Sequence, residues 1–420
     1  MRSFFQDEWS VMALLIDMNA TSPQVCDFTD IDTIVVGAGF AGAVVARELA
    51  ERANKRVAVI EQRPHIGGNA YDEYDETGVL VHRYGPHIFH TTMQHVYEYL
   101  SRFTSWYDYH HEVQADIHGV YTPVPFNLNS IELHFDEEKV CALKARLTET
   151  FGMDTKVPII ELRAQKDPLL SELAEFVYRN VFLYYTQKQW GLAPEEVDPS
   201  VTARVPVLVG RDNRYFQDAY QGMPLAGYTP LFENMLDHPH IVVYVNLNAK
   251  DILEFRAPDE GIDSPYHEVY LNGRPFTGEV IYTGPLDLLC DKRFGLLPYR
   301  SLDFVYTSVG QPHVLPCGTV NYTVSEDYTR ITEFTWLTGQ DLDHTTIMEE
   351  YPRAFEDLPG QVPYYAILNS NNQEHYERYH ALFSQLPHFH ALGRLAEYRY
   401  YNMDQIVDRA LALSHTLCEQ

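Results

Sequence analysis

The feature that most constrains this chain is a strand, a glycine turn, a helix and a second strand that follow one another between residues 32 and 61. The apolar, β-branched run 32–36 leads into the turn, helical composition follows over 43–52, and a second apolar run, 56–60, ends at Glu61. The turn itself reads Gly37-Ala38-Gly39-Phe40-Ala41-Gly42. This order and spacing are typical of a βαβ unit that binds a dinucleotide. The pattern predicts an α/β fold with a Rossmann-like domain.

Each glycine of the turn has its own mechanical role. Gly37 allows the tight turn, Gly39 lets a pyrophosphate approach the backbone, and Gly42 lets the helix pack closely on the strand. The helix N-terminus offers free N–H groups and a partial positive charge to the phosphates. Glu61 can accept hydrogen bonds from ribose hydroxyls. We therefore expect a dinucleotide here, with Phe40 also in contact.

The stretch that follows the second strand favours a flavin over a nicotinamide cofactor. A second glycine pair occurs in Glu61-Gln62-Arg63-x-x-x-Gly67-Gly68-Asn69. This arrangement resembles the extended FAD signature of glutathione-reductase and amine-oxidase type flavoproteins, in which the glycine pair lets the chain fold back across the cofactor. No second GxGxxG motif occurs, which argues against a separate nicotinamide domain. We expect FAD, with Gln62, Arg63, Gly68 and Asn69 among its contacts.

Charge and cysteine content exclude several other kinds of ligand. The formal net charge of −28 argues against nucleic acid or an anionic membrane as the main partner. The five cysteines form no CxxC pair and have no histidine at a metal-binding spacing, so the sequence predicts no metal site and a reducing, cytoplasmic location. The apolar run 11–16 is too short for an export signal or a membrane span. Residues 1–30 read as an N-terminal extension ahead of the fold.

Composition along the chain predicts three parts besides the extension. The run 279–285 reads as a strand ending in a small-residue turn, so the FAD-binding domain is expected to be discontinuous. Its predicted segments are 31–99, 211–240, 278–300 and 385–420. Residues 100–210, with helical stretches over 136–151 and 167–185, are expected to form an inserted helical domain with a substrate lid. Residues 241–277 and 301–384, rich in Val, Tyr and Thr, are expected to form an antiparallel β-sheet domain.

A series of further motifs carries a family resemblance. They read Tyr84-Gly-Pro-His87-Ile88-Phe-His90, Tyr185-Thr186-Gln-Lys188-Gln189-Trp190-Gly191, Arg204-Val-Pro206, Tyr215-Phe216, Tyr299-Arg300, Asn321-Tyr322, Tyr328-Thr-Arg330-Ile-Thr-Glu333, Pro363-Tyr-Tyr365 and Gly393-Arg394 to Tyr400. From about residue 32 to the end, the chain resembles the bacterial type of UDP-galactopyranose mutases. The blocks YTxKQWG and YTRITE are the most specific parts of this resemblance.

The resemblance implies an isomerase that contracts the ring of UDP-galactopyranose to give UDP-galactofuranose with no net redox change. FAD would need to be reduced, by a reductant such as NAD(P)H, and would end each cycle reduced. In the family mechanism flavin N5 attacks the anomeric carbon as UDP leaves, the flavin–sugar iminium opens the ring, closure through the 4-hydroxyl gives the furanose, and the returning UDP displaces the flavin from the sugar. The family also implies a role in galactofuranose and cell wall polysaccharide biosynthesis, and a homodimer or higher homo-oligomer.

The resemblance also assigns substrate residues. A diphosphate that leaves and later returns calls for arginine, whose planar guanidinium donates several hydrogen bonds at once. Arg204 and Arg330 match the two arginines that face the diphosphate in the family, and both are expected to be catalytic. Trp190 matches a tryptophan on a loop that closes over the substrate. The remaining expected substrate contacts are Thr186, Tyr215, Arg300, Asn321, Tyr365 and Tyr400.

A last group of residues is expected around the flavin ring. His87 is placed here with a contribution to catalysis but without an acid or base role; Ile88 and Arg394 match other positions at the ring. Met403 begins a predicted C-terminal helix whose positive end would stabilise anionic reduced flavin. Asn402 stands where several family members have Asp, and Asn caps a helix about as well as Asp.

Two other functions compete with this interpretation. An FAD-dependent oxidoreductase of the amine-oxidase type would share the nucleotide domain but would consume an electron acceptor. A non-catalytic nucleotide-sugar binder would bind UDP equally well with oxidised and reduced FAD. Isomerisation by reduced protein without an added oxidant separates both from the mutase.

Overall fold

The computed structural model describes residues 14–19, 28–192, 194, 205–259 and 261–419. Its strands are β1 (Leu14–Asp17), β2 (Thr33–Val36), β3 (Val57–Ile60), β4 (Asp72–Tyr74), β5 (Leu80–His82), β6 (Phe89–Thr91), β7 (Trp106–Tyr107), β8 (Val113–Ile117), β9 (Val120–Val124), β10 (Thr155–Val157), β11 (Val207–Val209), β12 (Tyr220–Pro224), β13 (Ile241–Val245), β14 (Leu253–Arg256), β15 (Glu268–Leu271), β16 (Arg274–Phe276), β17 (Glu279–Tyr282), β18 (Tyr299–Val309), β19 (Thr319–Tyr322), β20 (Arg330–Glu333), β21 (Thr345–Ala354), β22 (Tyr365–Ala366) and β23 (Phe389–Ala391).

The α-helices of the same residues are interspersed among these strands. They are α1 (Phe40–Arg52), α2 (Gln94–Leu100), α3 (Leu128–His134), α4 (Glu137–Phe151), α5 (Ile159–Arg163), α6 (Pro168–Val177), α7 (Tyr184–Trp190), α8 (Tyr228–Leu236), α9 (Leu286–Leu289), α10 (Phe334–Thr338), α11 (Ser370–Ala381) and α12 (Met403–Cys418). A π-helical segment, Tyr178–Leu183, joins α6 to α7. Where the structure describes the chain, no helix is long and apolar enough to cross a membrane.

A six-stranded parallel sheet forms the nucleotide domain. Its order is β1-β13-β3-β2-β17-β23, and every pairing in it is parallel. The side chains of β3 are buried throughout, as a β-branched strand covered on both faces requires. Helix α1 follows β2 directly and packs against α12 from the other end of the chain. The predicted Rossmann-like βαβ unit and its return through β17 are confirmed.

Two strands of this sheet were assigned elsewhere by the sequence. β13 was expected in the antiparallel domain, yet it lies between β1 and β3. β1 falls within the predicted extension, yet Leu14–Asp17 pairs with β13 along its whole length. A run such as Ile241–Val245 is compatible with a strand of either kind of sheet, because its composition does not specify the partner strand.

The second large sheet has the order β22-β18-β21-β20-β19-β8-β9. The sequence predicted an antiparallel sheet, but the sheet is mixed because β19 and β8 pair in parallel. The hairpin β8–β9 comes from the segment expected to be helical. Its first strand alternates buried and half-buried residues, which is the period of a strand with one face on a core.

The helical part follows that hairpin and packs on its own apolar core. Asp136 caps α4 by accepting a hydrogen bond from the backbone N–H of Lys139 at 2.9 Å, so the predicted helix begins where expected. The core between the helices includes Leu143, Leu147 and Leu173. The second predicted helix continues beyond residue 185, through the π-helical segment and α7, to Trp190.

Candidate active site

A cavity of about 760 Å³ lies where β2 meets the start of α1. Of the residues predicted to hold the cofactor, the following line it: Gly37, Gly39, Phe40, Glu61, Gln62, Arg63, Gly68, Asn69, His87, Arg394, Asn402 and Met403. These residues come from segments far apart in sequence, namely the βαβ unit, the residues after β3, the residue His87 before β6, and the stretch from Arg394 to the start of α12. The cavity is large enough to hold most of a dinucleotide.

The glycines of the turn suit such a ligand because, without a side chain, they let it approach the backbone. Gly37 has a φ of +104°, and a Cβ on it would lie 2.0 Å from the Thr283 hydroxyl oxygen. A Cβ on Gly39 would lie 3.5 Å from the Cα of Gly68, inside the cradle between the two glycine turns. Gly42 does not line the cavity; a Cβ there would lie 1.9 Å from the carbonyl oxygen of Gly37, which confirms its role in close helix packing.

Glu61 is held in place at the end of β3 by two backbone donors. Its Oε2 accepts from the N–H of Ala38 at 3.0 Å, and its Oε1 accepts from the N–H of Arg63 at 2.9 Å. The carboxylate is buried, and each oxygen keeps a lone pair for another donor. This arrangement suits the ribose hydroxyls of a dinucleotide.

Arg63 lines the same cavity, and one nitrogen of its guanidinium, Nη1, is unpaired as far as the structure describes the chain. Its Nη2 donates to Asn69 at 2.9 Å, and its guanidinium lies 4.2 Å from the centre of the Tyr84 ring. The buried Nη1 has no hydrogen-bond partner among the described residues. A buried, unpaired charged donor is costly, so a polar ligand in this cavity would satisfy it.

A second cavity, of about 270 Å³, opens beside the first. The two have six lining residues in common, which are Asn69, His87, Tyr364, Arg394, Asn402 and Met403. The predicted substrate residues that line the second cavity are Thr186, Trp190, Tyr215, Asn321, Arg330, Tyr365 and Tyr400, and Ile88 joins them. The structure thus brings the two predicted groups together at one junction. Arg204 lies outside the described residues.

Arg330 is the central charge of the second cavity. Its Nη2 donates to Oε1 of Glu350 at 2.9 Å, and Glu350 is 1% exposed. This neighbour helps to keep the pKa of Arg330 well above its usual value, despite the opposing effect of burial. Nε of Arg330 and Oε2 of Glu350 have no partner within the described ranges. The Arg330 guanidinium is therefore held by Glu350 through Nη2, while its Nε is left for a ligand to pair with.

His87 is neutral at the junction of the cavities. Burial, the largest cause, lowers its pKa to about 3. Its Nδ1 lies 2.8 Å from the carbonyl oxygen of Gly85, and because a carbonyl can only accept, Nδ1 carries the proton. The backbone N–H of His87 donates to Nδ1 of His82 at 3.0 Å. Nε2 of His87 is consequently an acceptor.

Aromatic side chains form one wall of the second cavity. The rings of Tyr365 and Tyr400 stack with centroids 5.8 Å apart and planes 14° apart. The Arg394 guanidinium lies over both rings, at 5.4 Å and 4.8 Å from their centres. The Trp190 ring lies 5.8 Å from that of Tyr365. This wall presents flat apolar surface and hydroxyl donors to a ligand.

Helix α12 begins at the junction with a capping box. Asn402 is the N-cap residue, and its backbone N–H donates to Oε1 of Gln405 at 2.8 Å. The prediction that Asn402 can cap this helix is confirmed. Because Asn402 and Met403 line both cavities, the positive end of the helix borders the point where the two cavities meet.

Arg300, a predicted substrate contact, is not a lining residue of either cavity. Its Nε donates to the carbonyl oxygen of Gln189 at 2.8 Å, and its Nη2 donates to that of Lys188 at 3.1 Å. Arg300 therefore binds the end of α7 rather than the cavity. Its short motif, Tyr299-Arg300, gives no hint of this, since the partners lie on a distant helix.

Sequence reasoning missed several lining residues of the second cavity. The unpredicted polar ones include Glu350, Gln189 and Thr319, and each of these has a buried oxygen without a partner in the described part of the chain. Gln189 and Tyr185 lie inside the YTxKQWG motif and could have been found there. Glu350 lies in a strand whose sequence, Thr345–Ala354, carries no local signal for a binding site.

The fold and the joined cavities define an α/β protein with a Rossmann-like domain, whose large cavity adjoins a second cavity that contains an arginine. A model of Rossmann-like NAD(P)-binding domains matches residues 35–103, and a model of UDP-galactopyranose mutases matches residues 180–400. The chain belongs to the UDP-galactopyranose mutase family and is an isomerase.

Individual relatives support this membership. A UDP-galactopyranose mutase of Mycoplasma genitalium is 34% identical over 403 residues, covering 94% of this chain and 96% of its own. A dTDP-fucopyranose mutase of Escherichia coli is 33% identical, covering 90% of this chain and 96% of its own. Among solved structures, reduced UDP-galactopyranose mutase matches with a TM-score of 0.65 and 16% identity over 93% of this chain and 94% of that one, which supports the fold.

Proposed function

We propose that this protein interconverts UDP-galactopyranose and UDP-galactofuranose with reduced FAD as its cofactor and with no net redox change. The observation that carries the proposal is the junction at His87, Arg394 and Met403, where the dinucleotide cavity opens into the cavity of Arg330. A flavin ring and a sugar attached to a diphosphate would meet there. The family match favours this function over the amine-oxidase alternative.

Bound FAD in its reduced form would supply a nucleophilic nitrogen, N5, for the anomeric carbon of the sugar. The residues that would hold it are those of the two glycine turns, with Glu61 at the ribose and Arg63 offering its unused donor. The unpaired Nη1 of Arg63 and the backbone cradle at Gly39 fit such a ligand.

Arg330 would bind the diphosphate while it leaves and until it returns. Its Nε is free of partners among the described residues, and its position beside Glu350 fixes the guanidinium. Charge-assisted hydrogen bonds of this kind contribute about 1.5–3 kcal/mol each. Tyr365 and Tyr400 would flank the ligand, and Arg204 would add a second guanidinium, as the resemblance implies.

Other residues would set the environment of the reaction. Trp190 packs near Tyr365 and would exclude water from the junction. Neutral His87 adds no positive charge there and offers Nε2 as an acceptor. The start of α12 adds a partial positive charge, which favours an electron-rich cofactor ring. Thr186, Tyr215 and Asn321 complete the substrate contacts in this proposal.

The family resemblance extends the proposal to the surroundings of the enzyme. A reductant such as NAD(P)H would activate the cofactor outside the catalytic cycle. The protein would act in the cytoplasm as a homodimer or higher homo-oligomer, and its product would serve galactofuranose and cell wall polysaccharide biosynthesis. The discontinuous FAD-binding domain would include β13 in addition to the predicted segments.

A second candidate substrate is dTDP-fucopyranose, since a mutase for that sugar nucleotide is almost equally similar in sequence. The second cavity has an apolar group among its lining residues, made of Val113, Val124, Val181, Phe182 and Val205. Such a surface could take the methyl group of thymine, which is worth about 0.8 kcal/mol when buried.

Substrate trials with the reduced protein test both candidates. UDP-galactopyranose and dTDP-fucopyranose are incubated separately with dithionite-reduced protein, and the furanose products are separated by chromatography. We expect UDP-galactose to give the higher kcat/KM. A higher value for the thymidine sugar would replace the first candidate by the second, and no turnover of either sugar would reject both.

A further inference from the structure

The end of helix α7 is attached to the large mixed sheet by two cations that do not line the cavity. The same helix carries Thr186, Gln189 and Trp190, which do line it. The helix is short, so its position depends on contacts with the rest of the molecule. Its attachment therefore decides where these three side chains lie.

Lys188 makes the first attachment. Its Nζ donates to three backbone carbonyl oxygens, those of Tyr322 at 2.6 Å, Glu326 at 2.8 Å and Tyr328 at 3.0 Å. An ammonium group has three hydrogens, so all of its donors are used. The first carbonyl is that of the last residue of β19, and the other two belong to the turn between β19 and β20. That turn lies between Asn321 and Arg330, two lining residues of the cavity.

Arg300 makes the second attachment, from the start of β18. It donates to the carbonyl oxygens of Gln189 and Lys188, which lie in the last turn of α7. Carbonyls in the last turn of a helix lack partners within the helix, and a cation there also interacts favourably with the helix dipole. Arg300 is 9% exposed. Gly191 ends the helix with a φ of +70°, and a Cβ on it would lie 3.4 Å from Nη1 of Arg300.

We propose that Lys188 and Arg300 are positioning residues that fix the end of α7 to the sheet, so that Thr186, Gln189 and Trp190 face Arg330. The inference rests on the proposed function for the identity of the ligand, but not for the attachment itself. It also replaces the expected contact between Arg300 and the substrate. Neither side chain lines the cavity, and both act through backbone carbonyls.

The test uses the flavin-loaded protein and the variants Lys188→Met and Arg300→Met. Each substitution keeps an unbranched chain of similar length and removes the donors. Arg353→Met is the matched control, since Arg353 lies on the neighbouring strand β21 and forms an ion pair with Asp303 at 2.8 Å, where it is 42% exposed. Arg300→Lys tests whether a cation alone restores the attachment.

Two measurements report on position. Hydrogen exchange is followed for the peptide covering residues 184–192, and the dissociation constant for UDP is measured from tryptophan fluorescence of the oxidised protein. We expect exchange in 184–192 to become at least about tenfold faster, and UDP binding about tenfold weaker, in both Met variants. The control should match the wild type, and Arg300→Lys should recover part of the loss. The flavin spectrum and kcat at saturating substrate should change less than KM.

Unchanged exchange over 184–192 together with unchanged UDP affinity would overturn the inference. So would a uniform rise of exchange over the whole chain, because that result would indicate a general loss of stability. If a Met variant does not fold, Arg300→Lys decides instead: a positioning role predicts exchange over 184–192 that is faster than in the wild type while the rest of the chain is unchanged, and wild-type exchange over 184–192 in this variant would overturn the inference for Arg300. Wild-type turnover reports separately on the proposed function: faster exchange over 184–192 in the Met variants, together with an inactive wild type, would reject the function and keep the inference.

Discussion

The substitution Glu350→Gln probes the charge balance around Arg330. Glu350 is the one carboxylate among the described lining residues of the second cavity, and it is buried. Glutamine has nearly the same shape, and its amide oxygen can still accept from Arg330. The negative charge is removed while the contact is kept, so the variant separates charge from geometry.

The expected magnitudes follow from the burial of this pair. Removing one partner of a buried ion pair costs about 3–5 kcal/mol, and a retained hydrogen bond from a charged donor restores about 1.5–3 kcal/mol. We expect the free energy of unfolding to fall by about 2 kcal/mol without ligand. A diphosphate on the other side of the guanidinium, roughly 8 Å from the carboxylate, is repelled by about 2 kcal/mol for each of its negative charges at an effective dielectric constant of 20. Allowing for screening, UDP should bind about threefold to tenfold more tightly to the variant.

Urea unfolding with and without UDP, and titration of the oxidised protein with UDP, measure both quantities. Glu349→Gln is the matched control, because Glu349 precedes Glu350 on β21 and accepts from the Tyr351 hydroxyl, away from the cavity lining. The control should change neither value appreciably. UDP binding that is tenfold weaker in Glu350→Gln would contradict this expectation. Such a result would mean that the negative charge of Glu350, and not only a hydrogen-bond acceptor at this position, holds Arg330 in place for the ligand.

Three further predictions concern the ligand and the pH. Arg330→Ala should lower kcat/KM by at least about a hundredfold while leaving the yellow cofactor bound, since it removes a diphosphate donor from the second cavity alone; loss of the flavin absorbance on gel filtration would contradict this. Asn402→Asp should leave thermal stability nearly unchanged because both residues cap a helix, but should lower the flavin reduction potential by placing a negative charge at the junction; an unchanged potential in a dye-coupled titration would show that the position is purely structural. Burial lowers the pKa of His82 to about 4 and those of His87 and His111 to about 3, so the unfolded chain binds more protons than the folded one below about pH 6.5. The contribution of these three histidines to the free energy of unfolding should be complete above that pH and should fall by roughly 4 kcal/mol per pH unit near pH 5. Equal urea midpoints at pH 5 and pH 7 would contradict the buried, neutral state of these side chains.

Much of the nucleotide domain could be predicted because its signals are local. The order of β2, glycine turn, α1 and β3 is written in consecutive residues, and so is the cap of α12 at Asn402. The lining residues within motifs, such as Trp190 and Arg330, were also found from the sequence. In each case the residue type and its immediate neighbours carry the physical requirement.

Features set by distant partners could not be predicted in this way. β13 and β1 enter the parallel sheet through pairing with strands far away in sequence, and short apolar runs do not specify their partners. Arg300 was expected at the substrate because it matches a substrate-site position of the family, yet its Nε and Nη2 donate to the carbonyls of α7. Glu350 reaches the cavity only through the register of β21 with β20, where it lies opposite Arg330.

The most direct test of the central claim is product formation from UDP-galactofuranose by the purified, flavin-loaded protein, followed by anion-exchange chromatography with and without dithionite. We expect UDP-galactopyranose from the reduced protein, many turnovers per flavin without an added electron acceptor, and little or no product from the oxidised protein. Equal turnover in both redox states, or a requirement for one equivalent of oxidant per product, would contradict it.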